Sequence, residues 1–148
     1  MDTSGFFQYP GEPAPARAVE LLGDWSDAEW AALLAATETR RFAPGEVVLA
    51  EGEHDPALYL LTDGRLEGPN GVVEPIATVG EGAFFDRRPR AASVRALTHG
   101  EVLRLSRDAF EALAAREPRL ARALLLELGR VLAERARIAG GPGAEWTG

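Results

Sequence analysis

Between Thr37 and Leu105 the chain breaks every few residues at a turn signal: Pro44-Gly45, Gly52, Asp63-Gly64, Asn70-Gly71, Gly80, Gly82 and Gly100. The runs between them are short and β-rich. Evenly spaced short strands with such turns close into a sandwich or barrel. Asn70-Gly71, between Arg65–Gly68 and Val72–Ile76, is the clearest hairpin signal, because a primed turn needs positive φ at both central residues. About eight strands are implied, and a jelly roll is the natural closure.

Helical periodicity frames this region on both sides. Ser26 and Glu29 have capping-box spacing, and Trp25 and Trp30 stand where a hydrophobic staple would, so a helix is expected to about Ala36. Beyond Leu105, Ser106 or Asp108 can cap a helix through Leu113, and Pro118 opens a longer one at its favoured first position. On that last helix Leu120, Leu124, Leu128, Val131 and Leu132 share a face, widened by Leu125 and Ile138. At about 33 Å it exceeds what covering one small barrel needs. Something besides the barrel, a protein partner, a second copy or a ligand, is therefore expected to pack on its stripe, the alternative being that it lies on its own barrel. The fold class is mainly β with flanking helices: a jelly-roll β-roll, an N-terminal helix and two C-terminal helices. Residues 1–20 read as a flexible arm, 21–139 as the domain and 140–148 as a flexible tail. Phe6, Phe7 and Tyr9 in the arm are costly to leave in water and could instead dock on the domain or on a partner.

Chemistry concentrates in Gly80–Val94. Arg90 offers a planar fork that can hold a phosphate bidentately, and Ala91, Ala92 and Ser93 are small enough for their backbone N–H groups to approach the same anion. Glu81, between Gly80 and Gly82, stands at the mouth of this cradle. It could accept from a ligand hydroxyl, or it could pair with Arg87, Arg88 or Arg90 and close the site. The bland reading of Arg87, Arg88, Arg90 and Arg95 is a solvated run of charge.

These residues also carry a resemblance. Pro89-Arg90-Ala91-Ala92-Ser93-Val94 is similar to the end of the phosphate-binding cassette in cyclic nucleotide-binding domains, the ligand module of catabolite-activator-type regulators and protein kinase A regulatory subunits. Phe42–Leu49, Glu51-Gly52-Glu53 and Leu58–Glu67 resemble that family's opening strands, and the likeness covers about residues 21–139. It implies a non-enzymatic regulatory module with Arg90 as phosphate ligand, Ser93 more weakly, and cAMP or another cyclic nucleotide as ligand; no cofactor is implied. One departure is evident. Members that bind cAMP carry a Phe-Gly-Glu-Leu-Ala type helix whose Glu takes the ribose; here Phe85-Asp86-Arg87-Arg88 runs straight into Pro89, so the segment and its helix N-terminus are expected to be missing. Asp86 is at best a shorter stand-in for that Glu. The alternative function is thus a degenerate domain serving as a dimerisation or interaction scaffold.

Composition removes other classes. Cysteine is absent and all sixteen basic side chains are Arg, so disulfides, thiolate chemistry and lysine Schiff bases are excluded. Two histidines, His54 and His99, cannot furnish a metal site, and no Gly-x-Ser-x-Gly elbow is present, so no catalytic residue is assigned. A net charge of −7 argues against general nucleic-acid binding, and the chain ends at Gly148 without the winged helix-turn-helix that follows the long helix in catabolite-activator-type regulators; direct DNA binding is not expected. Without a membrane span or export signal in the sequence, a cytoplasmic location is expected.

Overall fold

A computed structural model describes residues 25–140. The expectations for residues 1–20 and for the tail lie outside it, apart from Gly140, which closes the last helix. Helix α1 (Asp27–Ala36) carries the anticipated capping box: Ser26 Oγ accepts from the Glu29 N–H at 3.1 Å, and Glu29 Oε1 accepts from the Ser26 N–H at 2.9 Å. Trp25 packs on Trp30 with ring centroids 5.5 Å apart.

Eight strands follow: β1 (Glu38–Phe42), β2 (Val47–Leu49), β3 (Ala57–Asp63), β4 (Leu66–Gly68), β5 (Gly71–Val73), β6 (Ala77–Val79), β7 (Val94–Ala96) and β8 (Gly100–Ser106). Helix α2 (Glu81–Asp86) interrupts them between β6 and β7, and α3 (Arg107–Arg116) and α4 (Pro118–Gly140) close the chain. The strands pair antiparallel in two four-stranded sheets, ordered β1-β8-β3-β6 and β2-β7-β4-β5. This is the jelly-roll β-roll with flanking helices that the turn spacing implies.

Strand pleating sorts the apolar residues into two cores. Along β3, Tyr59 and Leu61 point between the sheets with Phe42, Leu49, Leu66, Val79 and Val102, whereas Leu58 and Leu60 point the other way. That outer face is covered by Leu33 of α1, Phe84 of α2, Phe110 and Leu113 of α3, and Leu120, Leu124 and Leu128 of α4. Covered on both faces, β3 reads as an unbroken apolar run rather than an alternating one.

Two expectations are corrected by the structure. Leu120, Leu124, Leu128 and Val131 are 0–3 % exposed, so the stripe assigned to a partner is spent on the domain's own sheet, and Leu132 beside it is half-buried. The large apolar residues that α4 leaves in water are Leu125, Leu126 and Ile138. The β4–β5 hairpin forms with Gly68 opposite Gly71, which makes Pro69 and Asn70 its central pair. Pro69 fixes a negative φ there, so the turn is not primed, and only Gly71 takes a positive value (116°). Of the two caps open to α3, Ser106 is the one used: its Oγ accepts from the Ala109 N–H at 3.0 Å, and Asp108 lies inside the first turn.

Candidate functional site

The cassette leaves β6 through Gly80 in the left-handed region (φ 78°), forms α2, and ends that helix at Arg87, also left-handed (φ 57°). A helix is therefore present where a deletion was expected; it is built from the residues before the gap, Glu81–Asp86. Asp86 Oδ1 accepts from the Arg88 N–H at 2.9 Å, just past the end of α2.

Arg90 lies deep, its side chain 3 % exposed. Its main chain is clamped on both sides, the N–H donating to Glu53 O and the carbonyl accepting from Gly52 N, each at 2.8 Å. The guanidinium reaches into the roll. Nη1 donates to the Gly80 carbonyl at 2.8 Å, and Nη2 to the Ala57 carbonyl at 2.9 Å and to Asp55 Oδ2 at 3.2 Å. Below it lies the Tyr59 ring, 5.5 Å from the guanidinium carbon to the centroid. Its Nε is buried and has no hydrogen-bond partner among the described residues. A Cβ on Gly80 would strike Arg90 Nη1, so only glycine lets this guanidinium reach the backbone.

Asp55 is the centre of the network. It accepts from Tyr59 Oη at 2.7 Å and from Arg104 Nη2 at 2.7 Å as well as from Arg90. Burial pushes its pKa up, but the hydrogen bonds from Arg104 and Tyr59, with the charge of Arg104, outweigh it and hold Asp55 below the usual carboxylate range. Tyr59 moves up, through burial and then through donating to this carboxylate, and the Arg104 guanidinium is held more tightly protonated by the same partner despite its burial.

Glu81 is 3 % exposed and pairs with Arg135 of α4, not with Arg87, Arg88 or Arg90. Arg135 Nη2 also donates to the Thr78 carbonyl at 2.7 Å, so one side chain ties α4 to both β6 and α2. Glu81 Oε2 and Thr78 Oγ1 have no partner among the described residues. Burial accordingly prevails over the charge of Arg135, and the Glu81 pKa rises.

The remaining candidates are scattered. Ser93 Oγ accepts from the Glu51 N–H at 2.9 Å, tying the cassette's end to the start of the β-roll. Gly82, Ala91 and Ser93 are exposed and Ala92 half-buried. Arg87 pairs with Asp108 at 3.8 Å. Asp55, Tyr59, Arg104 and Arg135 went unrecognised in the sequence; the one local hint was an acidic turn, Glu53-His54-Asp55, directly before an apolar strand. Among the described residues no group of three or more His, Asp or Glu could hold a metal ion, and no helix is long and apolar enough to cross a membrane. Chemically the site is a buried, oriented cation whose Nε has no partner among the described residues.

A family model described as the cyclic nucleotide-binding domain matches residues 39–117, more than half of the chain. Among curated proteins, the cAMP-dependent protein kinase regulatory subunit of Emericella nidulans is 39 % identical over 102 residues, 64 % of this chain and 25 % of that one. A CRP-like cAMP-activated global transcriptional regulator of Mycobacterium tuberculosis is 32 % identical over 106 residues, 65 % of this chain and 46 % of that one. This chain thus matches a quarter to a half of the length of such relatives. Among solved structures, a cyclic nucleotide-binding domain from Methylobacillus flagellatus superposes with a TM-score of 0.71 at 29 % identity, covering 78 % of this chain and 70 % of that one. The catabolite activator protein of Thermus thermophilus gives 0.65 at 28 %, covering 78 % and 59 %.

Proposed function

The chain belongs to the cyclic nucleotide-binding domain family, and from that premise we propose that it is a non-enzymatic regulatory module whose ligand is a cyclic nucleotide such as cAMP, held by its phosphate on Arg90. One observation carries this reading: Arg90 is buried in the roll with an Nε donor left over. A buried guanidinium with a vacant donor is costly unless something fills it. A phosphate oxygen at Nε and Nη2 would make a bidentate contact in exchange for the longer Asp55 bond of 3.2 Å. Asp55 would keep Arg104 and Tyr59, so the exchange strands no charge. The Gly80 carbonyl shares Arg90 with the ligand, and Gly80 enters α2, which Glu81 links to Arg135 on α4. Ligand binding would in this way bias the position of the C-terminal helix, and the output would pass to a protein partner or a second copy in a cytoplasmic setting.

The second reading is a degenerate scaffold that no longer binds nucleotide. It is favoured by the same geometry taken at rest, in which three acceptors of the chain itself occupy Arg90. Calorimetric and thermal-shift titrations with cAMP and cGMP separate the two, run on the wild type, Asp55→Asn and Arg90→Lys. A sensor stabilises on binding, by about 2.7 kcal/mol at a hundred times Kd, loses that gain in Arg90→Lys, and keeps or tightens binding in Asp55→Asn. Silence of both the wild type and Asp55→Asn at millimolar ligand overturns the sensor and leaves the scaffold.

A further inference from the structure

A groove of about 500 Å³ opens between α2, α3 and α4, and none of the Arg90 network lines it. Phe84, Phe85, Phe110, Ala114, Ala121 and Leu125 form its floor and walls. Phe85 and Leu125 stand 38 % and 39 % exposed, and Leu126, one residue further along α4, 64 %. Leaving large apolar side chains in water around a concave, ring-lined surface is unfavourable and marks a docking site. The polar rim is unequal. Arg107 is committed to Glu111 at 2.9 Å and to the Phe84 carbonyl at 3.2 Å, whereas Arg122 has no acidic partner among the described residues, in a chain of net charge −7. An occupant that fits therefore carries aromatic rings with an acid a few residues away.

The chain itself contains such a segment. Residues 1–24 hold four acids, Asp2, Glu12, Glu20 and Asp24, against one Arg, and Asp2 precedes Phe6, Phe7 and Tyr9. The described chain begins at Trp25, which packs on the same apolar cluster that contains Phe84 and Phe110. From there the residues back to Tyr9 can reach about 50 Å when extended, and α1 contacts α3, a wall of the groove. A short tether of this kind raises the effective concentration to about the millimolar range, so even a weak contact is populated. We infer that the N-terminal segment of this chain docks in the α2–α3–α4 groove, Phe6 and Phe7 covering the ring-lined floor and Asp2 facing Arg122. The inference does not depend on what Arg90 binds.

The chain has no cysteine, so an engineered pair reports proximity without background. In the full chain, Ser4→Cys with Leu126→Cys is compared under mild oxidation with Ser4→Cys and Val72→Cys, the latter an exposed position on β5 in the other sheet. Docking predicts a disulfide-bridged monomer that forms at least about ten-fold faster for the Leu126 pair, an advantage that adding Phe6→Ala and Phe7→Ala removes. Equal rates for the two pairs, or no bridge at all, overturn the inference. A bridge found only between two chains also overturns it, and makes a second copy the occupant.

Discussion

Arg90 meets Asp55 inside the β-roll, and Arg135 meets Glu81 where α4 crosses α2. Both pairs join an arginine to a carboxylate drawn out of full solvent, yet the two carboxylates move in opposite directions. Asp55, 13 % exposed, receives three donors and is held ionised. Glu81, 3 % exposed, is pushed toward its neutral form by that burial, with one arginine on it and an oxygen left without a hydrogen-bond partner among the described residues. Depth of burial and the donors set against it, rather than the presence of an ion pair, decide which carboxylate keeps its charge: burial is deeper at Glu81 and is not offset there, whereas at Asp55 the donors outweigh it. Asp55 is held by Tyr59 and Arg104 at 2.7 Å whether or not Arg90 stays on it, whereas Glu81 has Arg135 as its one ion-pair partner among the described residues.

The largest expected effect tests the first pair. Arg90→Ala leaves Asp55 short of a donor and strands the Gly80 and Ala57 carbonyls, and should cost about 3–5 kcal/mol in denaturant unfolding. A loss below about 1 kcal/mol, the range of exposed pairs, would collapse the distinction. Next comes Gly80→Ala, which strains a left-handed backbone and drives a methyl into Arg90; we expect a loss of about 1–3 kcal/mol.

Third, the two carboxylates should answer pH with opposite signs. Glu81 has its folded pKa above the ordinary 4.5, so folding takes up a proton. The wild type should gain stability relative to Glu81→Gln as pH falls from neutral through that raised pKa toward 4.5. Asp55 has its folded pKa below the ordinary 3.8, so its contribution is complete above that value and lost only as pH falls below it. The advantage of wild type over Asp55→Asn should therefore be flat from pH 5 to 8. Parallel slopes for the two variants would break the comparison. The smallest effect sharpens it from outside: Glu38→Ala removes a 74 % exposed partner of Arg104 and should cost under about 1 kcal/mol, because Arg104 keeps Asp55.

What could be read from the chain follows from the distance over which each signal acts. Ser26 and Glu29 form a cap three residues apart, and Pro89–Val94 is a contiguous cassette, so both were legible. The two-sheet roll was legible for the same reason, its turns being punctuated locally. The partners inside the site were not. Asp55 reaches Arg90 across 35 positions and Arg135 reaches Glu81 across 54, with no periodicity linking them. The α4 stripe failed differently: Leu120, Leu124 and Leu128 are equally apolar whether they face a sheet or a partner, and only the covering surface, the outward-pointing Leu58, Leu60, Leu103 and Leu105, decides. Likewise the gap before Pro89 suggested a lost helix, whereas the preceding Glu81–Asp86 form one of their own.

The pairing of β1 with β8 sets how the domain meets force. Glu38 at the start of β1 lies opposite Arg104 near the end of β8, so the roll's first and last strands are neighbours whose outer ends open on the same side. Tension transmitted to Glu38 and Ser106 pulls that pair apart from one end, loading its hydrogen bonds one after another instead of together. Within the roll, the β1–β8 seam is therefore where a stretched chain gives way first, and it peels rather than shears.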